Sequence, residues 1–365
     1  MKVVYVHMGW SMSYPFSPRT WSLSEWQRWF LLLRENGVET IMLWPGYEFI
    51  DPESNGEIDT MARWTRQIID TCHSTGLRLW LGRSINAVAV RHHKCLLQRD
   101  VRDTSEVAVT TQAYQSKVIS VLERLFKDTP RFEGWWCIDR DPGACLGSSA
   151  QDFSKAFKEQ FSAVQHAQEA IYWMWGGWTD VLNQEASWRT QSQSFWQEAI
   201  ACLGVDFQKL RVLCCWPGHG ASCPDHVEQR YAFPYHFGEP EPSIPWSYMG
   251  EQEPNYHYDF MEKVEFQTSV YRDVIFNMQT PCLRTPYLLQ CIRKGPSVPT
   301  LWEELERSWC WSESSLNKLH QQWHLMREAC AHSKPKSSSL SDWIDYTASD
   351  FPHKRGFLLE HFSHV

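Results

Sequence analysis

No stretch of this chain is apolar for long enough to cross a membrane as a helix. Met1-Lys2 leads directly into the short strand-like run Val3-Val4-Tyr5-Val6, with no small-residue cleavage site after it. The expectation is a cytoplasmic protein with no membrane partner. Long basic runs are also missing: 35 Lys and Arg stand against 43 Asp and Glu, a formal net charge of −8. That balance disfavours nucleic acid or an anionic surface as the main partner. No P-loop and no Gly-x-Gly-x-x-Gly follows any strand-like segment, so no nucleotide cofactor, and no cofactor of any kind, is expected. The 12 cysteines show no secreted disulfide framework, being scattered, with Cys214 and Cys215 adjacent and Cys137 inside an apolar run. Cys215, His219, Cys223 and His226 lie close together but match no zinc knuckle or finger spacing, and no metal site is expected. Low-complexity sequence is confined to Ser337–Ser339.

What the chain has in abundance is apolar and aromatic residues. It is 365 residues long and 43% hydrophobic, enough for one large core, and holds 21 Trp, 13 Tyr and 18 Phe. An indole offers a broad apolar face with one N–H donor, which suits stacking on the C–H face of a sugar ring. Taken singly, each Trp is a packing residue first. Trp10, Trp44, Trp175, Trp178, Trp216 and Trp246 nevertheless all fall where strands should end.

Strand-like runs alternate with amphipathic helical periods. Lys2–His7 reads as a strand. Ser22 or Ser24 then caps a helix over Leu23–Glu35, with Trp26, Trp29, Phe30 and Leu33 at helical spacing and Gly37 as its stop. Strand Val38–Trp44, helix Met61–Ser74 and strand Leu77–Leu81 follow, with Gly82-Arg83-Ser84 read as the start of a loop. Helix Gln115–Asp128 precedes a fourth strand centred on Trp135–Ile138. Helix Phe153–Gln168, strand Glu169–Trp175, a helix around Phe195–Leu203 and strand Leu210–Trp216 complete six units. The seventh strand is ambiguous between Phe233–Phe237 and Trp246–Met249. Asp273–Met278 reads as the eighth, and Leu301–Ala331 as a long closing helix. This rhythm predicts an α/β fold, a (β/α)8 TIM barrel forming a single domain over 1–332 with an irregular seventh unit. A Ser/Lys/Pro linker and short C-terminal tail occupy 333–365.

In such a barrel the residues just past each strand build the site. The stretch Gly134–Gly143 carries the sharpest candidates, because its apolar run ends in Asp139-Arg140-Asp141-Pro142-Gly143. Strand alternation puts Asp139 and Asp141 on one side and Arg140 on the other. Two neighbouring carboxylates push one pKa up, and a carboxyl that keeps its proton beside an ionised one suits acid-assisted cleavage of a sugar bond. The competing reading is a capped turn followed by an Asp-Pro-Gly turn. Asp141 is the candidate general acid and Asp139 its orienting neighbour, with Glu48 and Glu239 as further catalytic candidates and Glu241 also available. His7, Trp10, Asn86, Trp175, Trp178, Trp216, His219 and Asn277 are the candidate substrate-binding residues.

On these residues the chain resembles (β/α)8-barrel glycoside hydrolases. Its Asp-x-Asp after the fourth strand is similar to the strand-four carboxylates of chitinase-like and hexosaminidase-like barrels. The resemblance implies that one acid protonates the leaving oxygen while its neighbour orients the substrate's acetamido group. The chain departs from both patterns: chitinase-like barrels end this motif in Glu and hexosaminidase-like barrels carry an adjacent Asp-Glu, whereas here Pro142 follows Asp141. The Asn-Glu signature of the large retaining clan is absent from this strand. The expected function is a glycoside hydrolase acting on a saccharide or glycoconjugate. A barrel that binds glycans without cleaving them, or serves as an assembly subunit, is one alternative, and a metal-dependent sugar isomerase or epimerase another. Nothing in the sequence sets the oligomeric state.

Overall fold

The computed structural model describes residues 2–8, 18–85, 112–138, 149–174, 186–207, 210–214, 230–232 and 273–277. Within them eight strands run parallel: β1 (Lys2–His7), β2 (Thr40–Trp44), β3 (Arg78–Ser84), β4 (Phe132–Ile138), β5 (Ala167–Met174), β6 (Leu210–Cys214), β7 (Arg230–Ala232) and β8 (Asp273–Asn277). Each pairs with the next in chain order, and β8 pairs back onto β1 with Val4 opposite Phe276, so the sheet closes on itself. Helices α1 (Leu23–Glu35), α2 (Asn55–Ser74), α3 (Gln112–Phe126), α4 (Ala150–Val164) and α5 (Ala186–Asp206) follow the first five strands. The helix expected at Leu301–Ala331 and the tail from 333 lie outside the described residues.

Local chemistry accounts for the elements. Ser22 caps α1 in a reciprocal box with Glu25, a device worth about 1 kcal/mol. The helix then buries Trp26, Trp29, Phe30 and Leu33, the face anticipated from its period. Strand alternation divides the core in two. Val4, Val6, Ile41, Leu43, Leu79, Leu81, Trp135 and Cys137 face the helices, whereas Val3, Tyr5, Met42, Trp80, Trp136, Ile138, Ile171, Trp173, Leu213 and Ile275 fill the barrel. At the amino-terminal end of the barrel, Glu169 of β5 accepts hydrogen bonds from Arg78 at 3.1 Å and Arg211 at 2.9 Å, and Arg211 lies 5.5 Å over the Trp80 ring.

Several boundaries differ from those expected. β3 continues through Gly82-Arg83-Ser84 instead of turning there, because Gly82 leaves room for Trp136 on the neighbouring strand. A Cβ at position 82 would stand 2.1 Å from the Trp136 carbonyl oxygen and 2.2 Å from its ring. α2 begins at Asn55, capped by Ser54, six residues ahead of its first strongly apolar turn. The described seventh strand is Arg230–Ala232, upstream of both stretches expected for it, which themselves lie outside the described residues. No described helix is long and apolar enough to cross a membrane.

Candidate functional site

The barrel's carboxyl-terminal mouth is described best where β1, β2 and β3 end. Immediately after β2, Pro45-Gly46 turns the chain into the one-turn 3-10 helix Tyr47–Phe49. Gly46 sits at φ +84, and a Cβ there would come within 2.8 Å of Phe49, so glycine lets Phe49 fold back over the turn. Tyr47 is buried, its hydroxyl 3.0 Å from Thr65 of α2 and its ring stacked on Trp135. With both neighbours anchored, Glu48 is held at the barrel end and is only 3% exposed.

Glu48 does not sit in an apolar void. Trp44, the last residue of β2, donates its indole N–H to Glu48 Oε1 at 2.5 Å. Burial pushes the Glu48 carboxyl up to about 7. The Arg83 guanidinium, the Glu48 backbone N–H, the Trp44 N–H and the Ser84 backbone N–H pull it back only in part. The carboxyl therefore exchanges its proton close to neutral pH. Among the described residues its Oε2 is buried without a hydrogen-bond partner, and so is the hydroxyl of Ser84 at the end of β3.

Trp44 tops the stack of rings inside the barrel. It meets Trp136 edge-on at 5.3 Å and Trp173 at 6.2 Å, and His7 lies against it at 4.4 Å. It is partly buried, whereas the other described tryptophans with described side chains are buried. The sequence-level emphasis on tryptophan is thus divided: most described indoles pack the core, and Trp44 keeps surface at the mouth.

Of the candidate site residues, His7 and Glu48 are brought together at this mouth through their shared contact with Trp44. His7 is buried and ends β1. Asn277 ends β8, its backbone paired with Tyr5. Asp139, Asp141, Glu239, Trp10, Asn86, Trp175, Trp178, Trp216 and His219 lie outside the described residues, as do Cys215, Cys223 and His226. β4 is described as far as Ile138, so Asp139 begins the stretch beyond it. Among the described residues no three His, Cys, Asp or Glu side chains gather as a metal site would require. Arg83 and Ser84 were not singled out from sequence, because Gly82-Arg83-Ser84 reads as a turn. The apolar run Leu79-Trp80-Leu81 stops at Gly82, so the sequence carries no apolar signal that the strand runs on to Ser84.

No protein-family model matches the chain, and no curated protein matches it. Among solved structures its neighbours include GH5_18 glycoside hydrolases and an O-GlcNAc hydrolase. A variant of the Bifidobacterium longum GH5_18 enzyme in complex with Manβ1-4GlcNAc is 11% identical, with a TM-score of 0.34 over 48% of this chain. The chain spans only 43% of that protein. The GH5_18 enzyme of Streptomyces cattleya in complex with GlcNAc is 10% identical over 90% of this chain and 91% of its own, with a TM-score of 0.43. A variant of the Thermobaculum terrenum O-GlcNAc hydrolase is 9% identical over 98% of this chain and 73% of its own, with a TM-score of 0.46.

Proposed function

We propose that the chain is a carbohydrate-active hydrolase, a glycosidase whose saccharide or glycoconjugate substrate enters the carboxyl-terminal mouth of the barrel. The observation that carries this reading is the hydrogen-bonded pairing of a partly buried indole, Trp44, with a carboxyl, Glu48, that titrates near neutral pH. Cleavage of a glycosidic bond needs an aromatic plane for the sugar's C–H face. It also needs carboxyls that can hold and give a proton around pH 7.

In this reading the barrel is a complete (β/α)8 domain over 1–332, with the tail from 333 outside it. Asp141 protonates the leaving oxygen and Asp139 orients the substrate or sets its neighbour's pKa. Glu48 and Glu239 are the carboxyls available to complete the set, and His7, Trp10, Asn86, Trp175, Trp178, Trp216, His219 and Asn277 surround the substrate. No cofactor or metal is invoked. The protein is placed in the cytoplasm in this reading, and the acidic charge balance supports a partner other than nucleic acid.

The test is turnover of α- and β-linked aryl glycosides, N-acetylhexosaminides included, by the purified protein and by Asp141→Asn and Asp139→Asn. Cleavage of one member, reduced at least about a hundredfold by Asp141→Asn while binding persists, supports the assignment. A second reading is favoured by one specific observation, the near-complete enclosure of Glu48. A barrel that binds glycans without cleaving them would show saturable binding and no turnover in the same experiment.

A further inference from the structure

Two side-chain oxygens where β2 and β3 end have no hydrogen-bond partner among the described residues. They are Glu48 Oε2 and Ser84 Oγ, both buried, in residues that are each 3% exposed. The two residues meet through the backbone N–H of Ser84, which faces the Glu48 carboxyl. Ser84 also follows Trp80 and Gly82 at intervals of two along β3, and Trp80 and the Trp136 ring over Gly82 lie inside the barrel. Beside them stands Trp44, whose N–H is already committed to Glu48 Oε1, so its exposed part is apolar ring. Folded proteins rarely leave buried polar atoms unpaired, and those left so are commonly completed by a ligand or an ordered water.

Resting on the hydrolase reading, we infer that Trp44, Glu48 and Ser84 form one sugar subsite. The ring's C–H face stacks on Trp44, and one ring hydroxyl bridges Glu48 Oε2 and Ser84 Oγ. A hydroxyl is both donor and acceptor, and so is serine, so one ligand group satisfies both leftover atoms whichever protonation state Glu48 holds. Water could bridge the same two atoms, but water makes no use of the partly buried indole. A polyhydroxylated ring uses all three groups at once. Ser84 and Trp44 thereby become specificity-determining residues, selecting for a hydroxyl at one position of the bound ring.

The experiment is equilibrium binding, by ligand-observed NMR, of methyl α- and β-glycosides of glucose, mannose, galactose and GlcNAc and of their monodeoxy analogues. The full chain and its Trp44→Ala, Trp44→Phe and Ser84→Ala variants are compared. Expected is one glycoside whose Kd is weakened about tenfold by Ser84→Ala and at least about tenfold by Trp44→Ala. Trp44→Phe keeps a ring and retains most of the affinity, which separates loss of stacking from loss of fold. For the single deoxy analogue lacking the bridged hydroxyl, Ser84→Ala has no further effect, the mark of a direct contact. Equal binding by wild type and Ser84→Ala overturns the subsite. So does a Ser84→Ala loss identical for every deoxy analogue, as a bridging water would give. In both cases cleavage of an aryl glycoside still leaves the hydrolase reading standing. Absence of binding by every glycoside, together with absence of turnover, overturns both.

Discussion

Trp136 fills the space that a side chain at position 82 would need. Its carbonyl oxygen and indole ring would lie 2.1 and 2.2 Å from a Cβ on Gly82. Because one of those contacts is with backbone, no rotamer change of Trp136 relieves it, and β3 and β4 would have to part. Gly82→Ala is therefore expected to lower stability by about 3 kcal/mol or to prevent folding, the upper range for overpacking a core. Chemical denaturation of the variant checks this.

Glu48 makes stability depend on pH with a definite sign. Its folded value, about 7, lies above the ordinary 4.5, so the folded state holds a proton that the unfolded chain releases. The associated stability is complete below pH 4.5 and is lost as pH rises to about 7, a span of roughly 3 kcal/mol. Glu48→Gln removes that slope. Relative to wild type, the variant should be more stable at pH 8 than at pH 5, as measured by urea unfolding at the two pH values.

His73 and Glu133 give a second, differently shaped dependence at the outer side of the barrel's amino-terminal end. They lie 3.3 Å apart, and Glu133 also accepts the Leu79 backbone N–H at 2.7 Å. The hydrogen bond to Glu133 raises the His73 pKa despite partial burial. Burial alone would raise Glu133, but His73 and the Leu79 N–H together bring it below its ordinary value. The histidine's contribution is complete below 6.5 and fades as pH rises through its elevated folded value. The carboxylate's is complete above 4.5 and fades as pH falls through its depressed one. Between those limits both are present. Glu133→Gln should flatten the stability profile on both flanks, and NMR titration of His73 in that variant should show its pKa falling.

The order of elements was legible because it rests on period and punctuation. Ser22, the Trp26/Trp29/Phe30/Leu33 face and Gly37 define α1 from sequence alone, and β1 was anticipated to the residue. What was not legible depended on partners distant in sequence. Gly82 reads as a turn residue until Trp136 is seen against it, so the end of β3, and with it Ser84, was missed. The polar start of α2 hides its period, although Ser54 three residues before Glu57 is a capping signal. Strand β7 has three described residues, too few for alternation to register. At the site, Glu48 stood out as an acid just past a strand. Its enclosure and the consequent rise in its pKa follow from burial, which sequence does not display.

Glu169 holds two arginines from different strands, with Arg211 Nε 2.5 Å from its Oε2. Removing the carboxylate deprives the mostly buried Arg211 of its 2.5 Å ion pair beside Trp80. Glu169→Ala should destabilise the fold by about 3 kcal/mol, whereas Arg78→Ala, at a more exposed position, should cost about 1 kcal/mol. Thermal unfolding of the two variants distinguishes them.

The most direct test of a saccharide site built around Glu48 is the pH dependence of kcat/KM for whichever aryl glycoside is cleaved, in wild type and in Glu48→Gln. The account predicts turnover with a limb whose apparent pKa is about 7 in wild type and is missing from the variant, since kcat/KM reports groups of the free enzyme. A profile with the same limb in both proteins, or no turnover of any glycoside at any pH, would contradict it.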